Sequence, residues 1–480
     1  MQTPFELFNE IENNLPVEQI KCKGLSIWQF LRFQYQLQYM KLYTVNGLIS
    51  QKTSITKKLK RILIIFKNSF WGFFNYYKKS HYILFSNQYN NKLIDEKISD
   101  KFSHHIIKHL GPQLLIFQDP ANMEHISIKN YYHKRYTSSW SLYIRCLPKI
   151  FMSLINCLKY KIEGEEILKQ VEKSIGIHIN YRFKTSLFFI FSNFLNKNFK
   201  KRNTKLIFVE CYHGIIHQAA IYAAKKNNIP SIEIQHGLIS KTYEGYILPK
   251  KIGQECFPDY LFAFGNYVKE TLGDSFINNK NIYPVGYFYI EYIKKQAKYN
   301  EYFKEYFNKL RLSYKTIVTI SGQDTIDKEL FIFIEKAALL DNQILYLFIP
   351  RTFNNNYYKI SLPSNIKIKP DIDFYYSLYY SDFHATVYST CALEAPFYGI
   401  PNLFINIKGL SQHYYGEIMN DSSIVSYCNN PEELIDSIKN KLWPPKNQIE
   451  YKGQRYYTIN CEENSIKIIN DLLKNKNRIN

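Results

Sequence analysis

Between residues 205 and 235 the chain passes from an apolar run, KLIFVE, through an Ala-rich stretch, HGIIHQAAIYAAKKNNIP, to a second apolar run, SIEIQ. The middle stretch has helical periodicity and ends at Asn227, Asn228 and Pro230, residue types that stop helices. Strand, helix and strand within about 30 residues is a βαβ unit. Such a unit leaves few folds open: the strands are parallel, the crossover is right-handed, both sheet faces are covered, and ligands bind at the carboxyl ends of the strands. SIEIQ stops abruptly on Gln235, His236 and Gly237, poor residues for continuing a buried strand. That stop falls on the edge where an α/β protein places its chemistry.

The same alternation recurs. HYILFS (81–86), QLLIF (113–117), YLFAFG (260–265) and NIYPVG (281–286) complete a first set of strand candidates. After a polar, Tyr- and Lys-rich linker at 291–314, a second set follows: KTIVTISGQ (315–323), QILYLFIP (343–350), NIKIKP (365–370), FHATVYS (383–389) and PNLFIN (401–406). KELFIFIEKAALL (328–340), DFYYSLYYS (373–381) and TCALEAPFYG (390–399) read as the intervening helices. A chain of 480 residues exceeds a single core of roughly 250 to 300. The expected architecture is α/β, with two Rossmann-like doubly wound domains facing a cleft and a helical basic N-terminal extension. The expected boundaries are 1–80 for the extension, 81–290 for the first domain, 315–440 for the second and 441–480 for a helical tail.

Lys and Arg number 62 against 41 Asp and Glu, a net charge of +21. Such an excess suits nucleic acid, an anionic membrane or a phosphorylated substrate. No clustered base-reading or stacking motif accompanies it, so a non-catalytic nucleic-acid-binding protein is the weakest of these readings. Between Lys41 and Ile94 there is no acidic residue, while lysines and Arg61 flank ILIIF and FWGFF, the pattern of an interfacial helix on anionic lipid or of a core helix with a basic edge. LPKIFMSLINCLKYK (147–161) and RFKTSLFFIFSNFLNKNFKKR (182–202) share this flavour and are read as packing helices. The N-terminus lacks a secretory h-region, no apolar run reaches the length of a spanning helix, and the eight cysteines form no C-x-x-C pair. A cytoplasmic protein with reduced thiols is expected, peripheral on the inner face of the membrane.

In YSTCALEAPFYGIP (388–401) a strand runs into Ser389 and Thr390 at a helix start, an arrangement suited to a phosphate or simply to capping. Glu394 lies one turn on, where it could accept hydrogen bonds from ribose hydroxyls or face the helix dipole. His236 is a titratable group at a strand end, suited to act as a base. His213 in ECYHG ends the preceding strand, and Glu210 is placed to orient either imidazole. Two other patterns carry less: Asp371–Asp373 has the form of a metal-binding DxD but opens a helix, where Asp is a routine cap, and His105 and His109 read as a solvated helix face. No P-loop or G-x-G-x-x-G occurs.

IEIQHGLISKTYEGY, PDYLFAFGNYVKETL and IYPVGY, in that order, resemble the first-domain signature of bacterial surface-polysaccharide (capsule and lipopolysaccharide) glycosyltransferases of GT-B architecture. HYILFSNQYNNKLIDEKISDKF is similar to an early segment of the same group, and TISGQ, FIPR and YSTCALEAPFYGIP to its second-domain elements. The likeness covers most of residues 81–406. It implies transfer of a sugar from a nucleotide-activated donor to a lipid-linked or polymeric glycan, with no bound metal and no other cofactor. It implies a donor site of Ser321, Gly322, Gln323, Arg351, Ser389, Thr390 and Glu394, a base at His236, and an acceptor side that includes Gln235 and Gly237. Related polysialyl- and polyol-phosphate transferases carry His-Pro where this chain has Ile349 and Pro350. Arg351 can take the place of that imidazole as a phosphate ligand, and transfer of a polyol phosphate from a CDP-activated donor is the alternative reading.

Overall fold

The computed structural model describes residues 3–44, 55–155, 160–241, 243, 245–248, 252–273, 276–323, 326–350 and 362–479. The chain divides into two compact units. One comprises residues 1–263, 269–283 and 462–480, the other 264–268 and 284–461.

The first unit is built on a seven-stranded sheet: β1 (Tyr82–Asn87), β2 (Leu114–Asp119), β3 (Tyr136–Ser138), β4 (Leu206–Val209), β5 (Ser231–Ile234), β6 (Tyr260–Ala263) and β7 (Ile282–Pro284). Their spatial order is β7-β6-β5-β4-β1-β2-β3, with parallel registers such as Tyr82 opposite both Leu114 and Leu206. Strands covered on both faces are mostly apolar, and Leu206–Val209 and Ser231–Ile234 are buried at every position, the polar Ser231 and Glu233 included. The direction of winding reverses between β1 and β4, which makes their carboxyl ends the topological switch point where such sheets bind ligands.

The N-terminal residues belong to this unit rather than lying apart from it. Thr3 and Glu6 form a capping box on the helix Pro4–Asn14. Its buried Glu12 accepts a hydrogen bond from Trp28 Nε1 at 2.9 Å and pairs with the buried Arg32. Phe30 stacks on Phe188 of the helix Tyr181–Arg202, ring centroids 4.5 Å apart. That long helix buries Leu187, Phe188, Phe191, Leu195 and Phe199, as expected of a packing helix. The segment 68–77 runs along the outer strand β3: Ser138 N donates to the Trp71 carbonyl at 3.0 Å, and Asn75 Nδ2 donates to the Tyr136 carbonyl. An otherwise open sheet edge is thereby closed. The helix Leu147–Leu154 packs on the helix Tyr181–Arg202 with Ile150 buried, as its sequence suggested, but leaves Leu147, Phe151 and Leu154 exposed on its other side. Among the described residues no helix is long and apolar enough to cross a membrane.

The second unit repeats the plan with six strands: β8 (Thr316–Ser321), β9 (Ile344–Ile349), β10 (Ile366–Ile368), β11 (Phe383–Thr386), β12 (Asn402–Ile405) and β13 (Val425–Cys428). The order is β10-β9-β8-β11-β12-β13, all pairs parallel, with the switch point between β8 and β11. Val318 and Ile320 face one core with Leu330 and Ile334, while Ile317 faces the other with Phe307 and Leu310. Period-two alternation thus feeds two helical layers. Both sheets are Rossmann-like and doubly wound, as the alternating apolar runs predicted.

Candidate functional site

At the carboxyl edge of the first sheet three imidazoles gather. His213 follows β4, His217 lies in the first turn of the helix Ile215–Lys225, and His236 follows β5. The His236 ring donates to the main-chain carbonyl of Glu210, which leaves Nδ1 with no partner among the described residues. Burial lowers its pKa to about 4, and the nearby His217 and Lys101 push the same way. His213 is held well below the ordinary range by burial, with His236, Arg32 and His217 adding to the effect. His217 is lowered by burial against the opposing pull of Asp119 and of a bond to the Cys211 carbonyl. His213 Nε2 and His217 Nδ1 likewise lack partners. At neutral pH the cluster is therefore a set of uncharged proton acceptors.

His213 is positioned by its neighbours. Its ring stacks on Phe33, 4.3 Å away and 13° from parallel. A Cβ on Gly245 would come within 2.7 Å of its Cε1, so the turn at Gly245 closes over the ring only because that residue has no side chain. The Tyr212 hydroxyl donates to the Gly245 carbonyl, and Tyr246 donates to the buried Glu233 at 2.8 Å. Burial raises the Glu233 carboxyl to about 8.

Glu210 does not orient either imidazole through its carboxylate, as its sequence position suggested. The carboxylate accepts from Asn87 N at 3.0 Å, Asn90 Nδ2 at 2.8 Å and Ser103 Oγ at 3.3 Å. It also lies against Asp100, which the hairpin Asn91–Ile94/Lys97–Asp100 carries in on a turn whose Asp95 and Glu96 both have positive φ. Burial first, and Asp100 second, push the Glu210 carboxyl well above its usual range. The pair braces the switch point, and it is the Glu210 carbonyl that meets His236. Gln235 also turns inward: fully buried, it donates from Nε2 to the Gly237 carbonyl at 2.8 Å and holds the Gln-His-Gly turn rather than projecting toward an acceptor. Gly237 is partly exposed, with open space around its Cα.

In the second unit Ser321, at the end of β8, is buried with its Oγ 3.0 Å from His384 Nε2, and His384 Nδ1 lies 2.7 Å from Asn402 Oδ1. Asn402 Nδ2 donates to the Ala392 carbonyl at 2.7 Å, which fixes the amide so that His384 donates from Nδ1 and accepts at Nε2. A Cβ on Gly322 would meet Phe348 Cζ at 2.5 Å, so the turn after β8 requires glycine there. Gln323 is a buried brace, accepting from Tyr388 N at 3.0 Å while its own N–H donates to Asp327 Oδ1. Ser389 is partly exposed and Thr390 exposed.

Two second-unit expectations change. The helix Cys391–Glu394 is four residues long and passes into a 3₁₀ turn, Ala395–Tyr398, too short a run of aligned peptides to supply much dipole to a phosphate. Glu394 is buried and accepts from the Tyr375 hydroxyl at 3.0 Å, so its carboxylate braces the unit's interior instead of facing a ribose. Arg351 lies outside the described residues.

Asp373 caps the helix Phe374–Tyr380 by accepting from Tyr375 N, the ordinary role its position suggested. His105 is buried, not solvated; its partner at the next turn, His109, is exposed. Among the described residues no group of three His, Cys, Asp or Glu side chains is placed to hold a metal ion. His217, Asp119 and His384 were not singled out from the sequence. The first had a legible signal, since HGIIH places a second histidine four residues after His213, in the first turn of the following helix.

No protein-family model and no curated protein matches the chain. Among solved structures it is similar to the UDP-GlcNAc 2-epimerase from Neisseria meningitidis bound to UDP-GlcNAc, with 14% identity over 82% of this chain and 99% of that one and a TM-score of 0.48. It is similar to the UDP-GlcNAc 2-epimerase from Methanocaldococcus jannaschii, with 15% identity, 78% and 97% coverage and a TM-score of 0.47. It is also similar to the wall teichoic acid polymerase TagF, with 14% identity, 92% and 98% coverage and a TM-score of 0.46.

Proposed function

We propose that this chain is a glycosyltransferase of GT-B type that moves a sugar from a nucleotide-activated donor to a lipid-linked or polymeric surface glycan. The observation that carries the reading is the state of His236. Its ring is pinned on one side by the Glu210 carbonyl, uncharged at neutral pH, and buried and unpartnered at Nδ1 among the described residues, all at the carboxyl edge of a doubly wound sheet. In the proposed reaction Nδ1 takes the proton of the acceptor hydroxyl as its oxygen attacks the anomeric carbon and the bond to the nucleotide phosphate breaks. Negative charge on the bound substrates raises the affinity of the ring for that proton, which moves a base with a pKa near 4 toward its working range. The turn at Ser321 to Gln323, with Ser389 and Thr390 beside it, is the proposed seat of the nucleotide. The sequence resemblance supports the substrate class, and the step needs no metal.

The test combines binding and turnover. Thermal shift with UDP, GDP, CDP and CMP should show stabilisation by one uridine or guanosine diphosphate. Stabilisation by the cytidine nucleotides alone selects polyol-phosphate transfer instead, and indifference to all four removes the enzyme reading. His236→Ala should lower kcat by about 10²-fold with nucleotide affinity retained, the scale of a lost general base.

A further inference from the structure

On the first unit, at the amino ends of β1 and β4 and so at the opposite sheet edge from the histidine cluster, lies a pocket of about 740 Å³. Tyr76 forms its floor, with two guanidiniums over the ring: Arg145 at 3.8 Å and Arg202 at 4.5 Å from the centroid. Arg145 donates to the Tyr77 hydroxyl and the Phe73 carbonyl, both at 3.0 Å, and Arg202 to the Lys78 carbonyl at 3.0 Å and Ser80 Oγ at 2.9 Å. Every partner of these two arginines is uncharged. Among the described residues no carboxylate pairs with either one, and Arg145 acts on Arg202 as a like charge. Arg145 Nε is buried without a partner. Lys78, Lys79 and Lys201 stand exposed on the rim. Two close, half-buried cations held in place by carbonyls and an aromatic face, with no counter-ion, form a receptor for an anion.

The surroundings name the source of that anion. Ring contacts lead from the pocket through Phe73 and Phe70 to Phe66 on the basic helix Ile55–Ser69. Along this path the side chains face solvent: Leu63 is 67% and Phe74 81% exposed. Leu147, Phe151 and Leu154, on the helix that follows Arg145, are exposed as well. Apolar side chains that stand in water beside a cationic pocket match a lipid surface, whose acyl layer takes the first and whose phosphates take the second. We propose that this face docks on the membrane and that the pocket between Tyr76, Arg145 and Arg202 receives the phosphate of an anionic phospholipid head group. The docking is independent of the reaction that the histidine cluster serves.

Sedimentation of the full chain with phosphatidylcholine vesicles, with and without phosphatidylglycerol, tests it. Binding should require phosphatidylglycerol and fall by roughly fivefold for each cation removed in Arg145→Gln and in Lys79→Gln/Lys201→Gln. The rim lysines contact nothing that folding needs, so that double variant decides the matter should Arg145→Gln fail to fold. Leu63→Ser/Phe74→Ser should weaken vesicle binding while leaving any thermal stabilisation by inorganic phosphate unchanged. Variants that pellet like the parent protein overturn the proposal. So does tight binding of inorganic phosphate or of RNA by a protein that ignores the vesicles, which would make the pocket a site for a free anion or a nucleic acid.

Discussion

At His213 one contact and one absence set the ring: Phe33 stacks on it, and Gly245 closes over it without a Cβ. Gly245→Ala must therefore push the imidazole or the turn by several tenths of an ångström, since the new carbon would sit 2.7 to 2.8 Å from two ring atoms. Overpacking of this kind costs about 1 to 3 kcal/mol. If His213 works beside His236, turnover should fall by up to about 10²-fold, the penalty for misplacing a reacting group by about 1 Å. Comparing kcat with the melting temperature separates the two effects: a lowered melting temperature with unchanged kcat would remove His213 from the reaction and leave His236 as the sole base. Asp119 belongs to the same set because its charge reaches His217. Spacing alone could not reveal this, since the two residues are nearly a hundred positions apart in the chain.

Strands β8, β11 and β12 are tied by one polar thread, Ser321 to His384 to Asn402 to the Ala392 carbonyl. Asn402→Ala should cost about 1 to 3 kcal/mol, because it leaves a buried ring nitrogen and a carbonyl unpaired, and urea denaturation reads that directly. Equal stability of the variant would mean that water enters the gap. Such threads explain which parts of the fold were legible beforehand. A doubly covered parallel strand is a near-continuous apolar run, so HYILFS and QILYLFIP announced β1 and β9 nearly to the residue. Short outer strands carry no such burden: Tyr136–Ser138 and Val425–Cys428 look like loop in the sequence and become strands only by pairing. The site was legible to the same degree. His236 and His213 could be placed at the carboxyl edge from the sequence because they stop strands there. Whether Gln235, Gln323 or Glu394 points inward depends on partners as distant as Tyr388 and Tyr375, which local pattern does not encode.

For the whole molecule, buried titratable groups of opposite kind set a pH optimum. Burial lowers His104, His236 and His384 to about 4 and His105 and His125 to about 3, all from 6.5, so these rings are uncharged in the native protein across the neutral range. Between about pH 4 and 6.5 the unfolded chain binds protons that the native chain does not, and stability must fall as the pH drops through that window. Glu233 acts in the opposite sense: its native pKa near 8 exceeds its ordinary 4.5, so the folded chain keeps a proton that the unfolded chain has lost, and stability declines as pH rises from about 4.5 to 8. Glu210 adds to that decline. His133, His213 and His217 are lowered as well, and Asp100 and Glu291 raised, so below 6.5 eight histidines outweigh four carboxyls, and above it only the carboxyls still change. The melting temperature should therefore peak near pH 6.5, falling steeply on the acid side and gently toward pH 8. Glu233→Gln removes one of these carboxyl contributions while keeping an acceptor for the Tyr246 hydroxyl, so its curve should be flatter between pH 6.5 and 8 and its acid limb steeper between about 4.5 and 6.5. A parent protein whose melting temperature rises steadily from pH 6.5 to 8 would show that Glu233 is ionised in the fold.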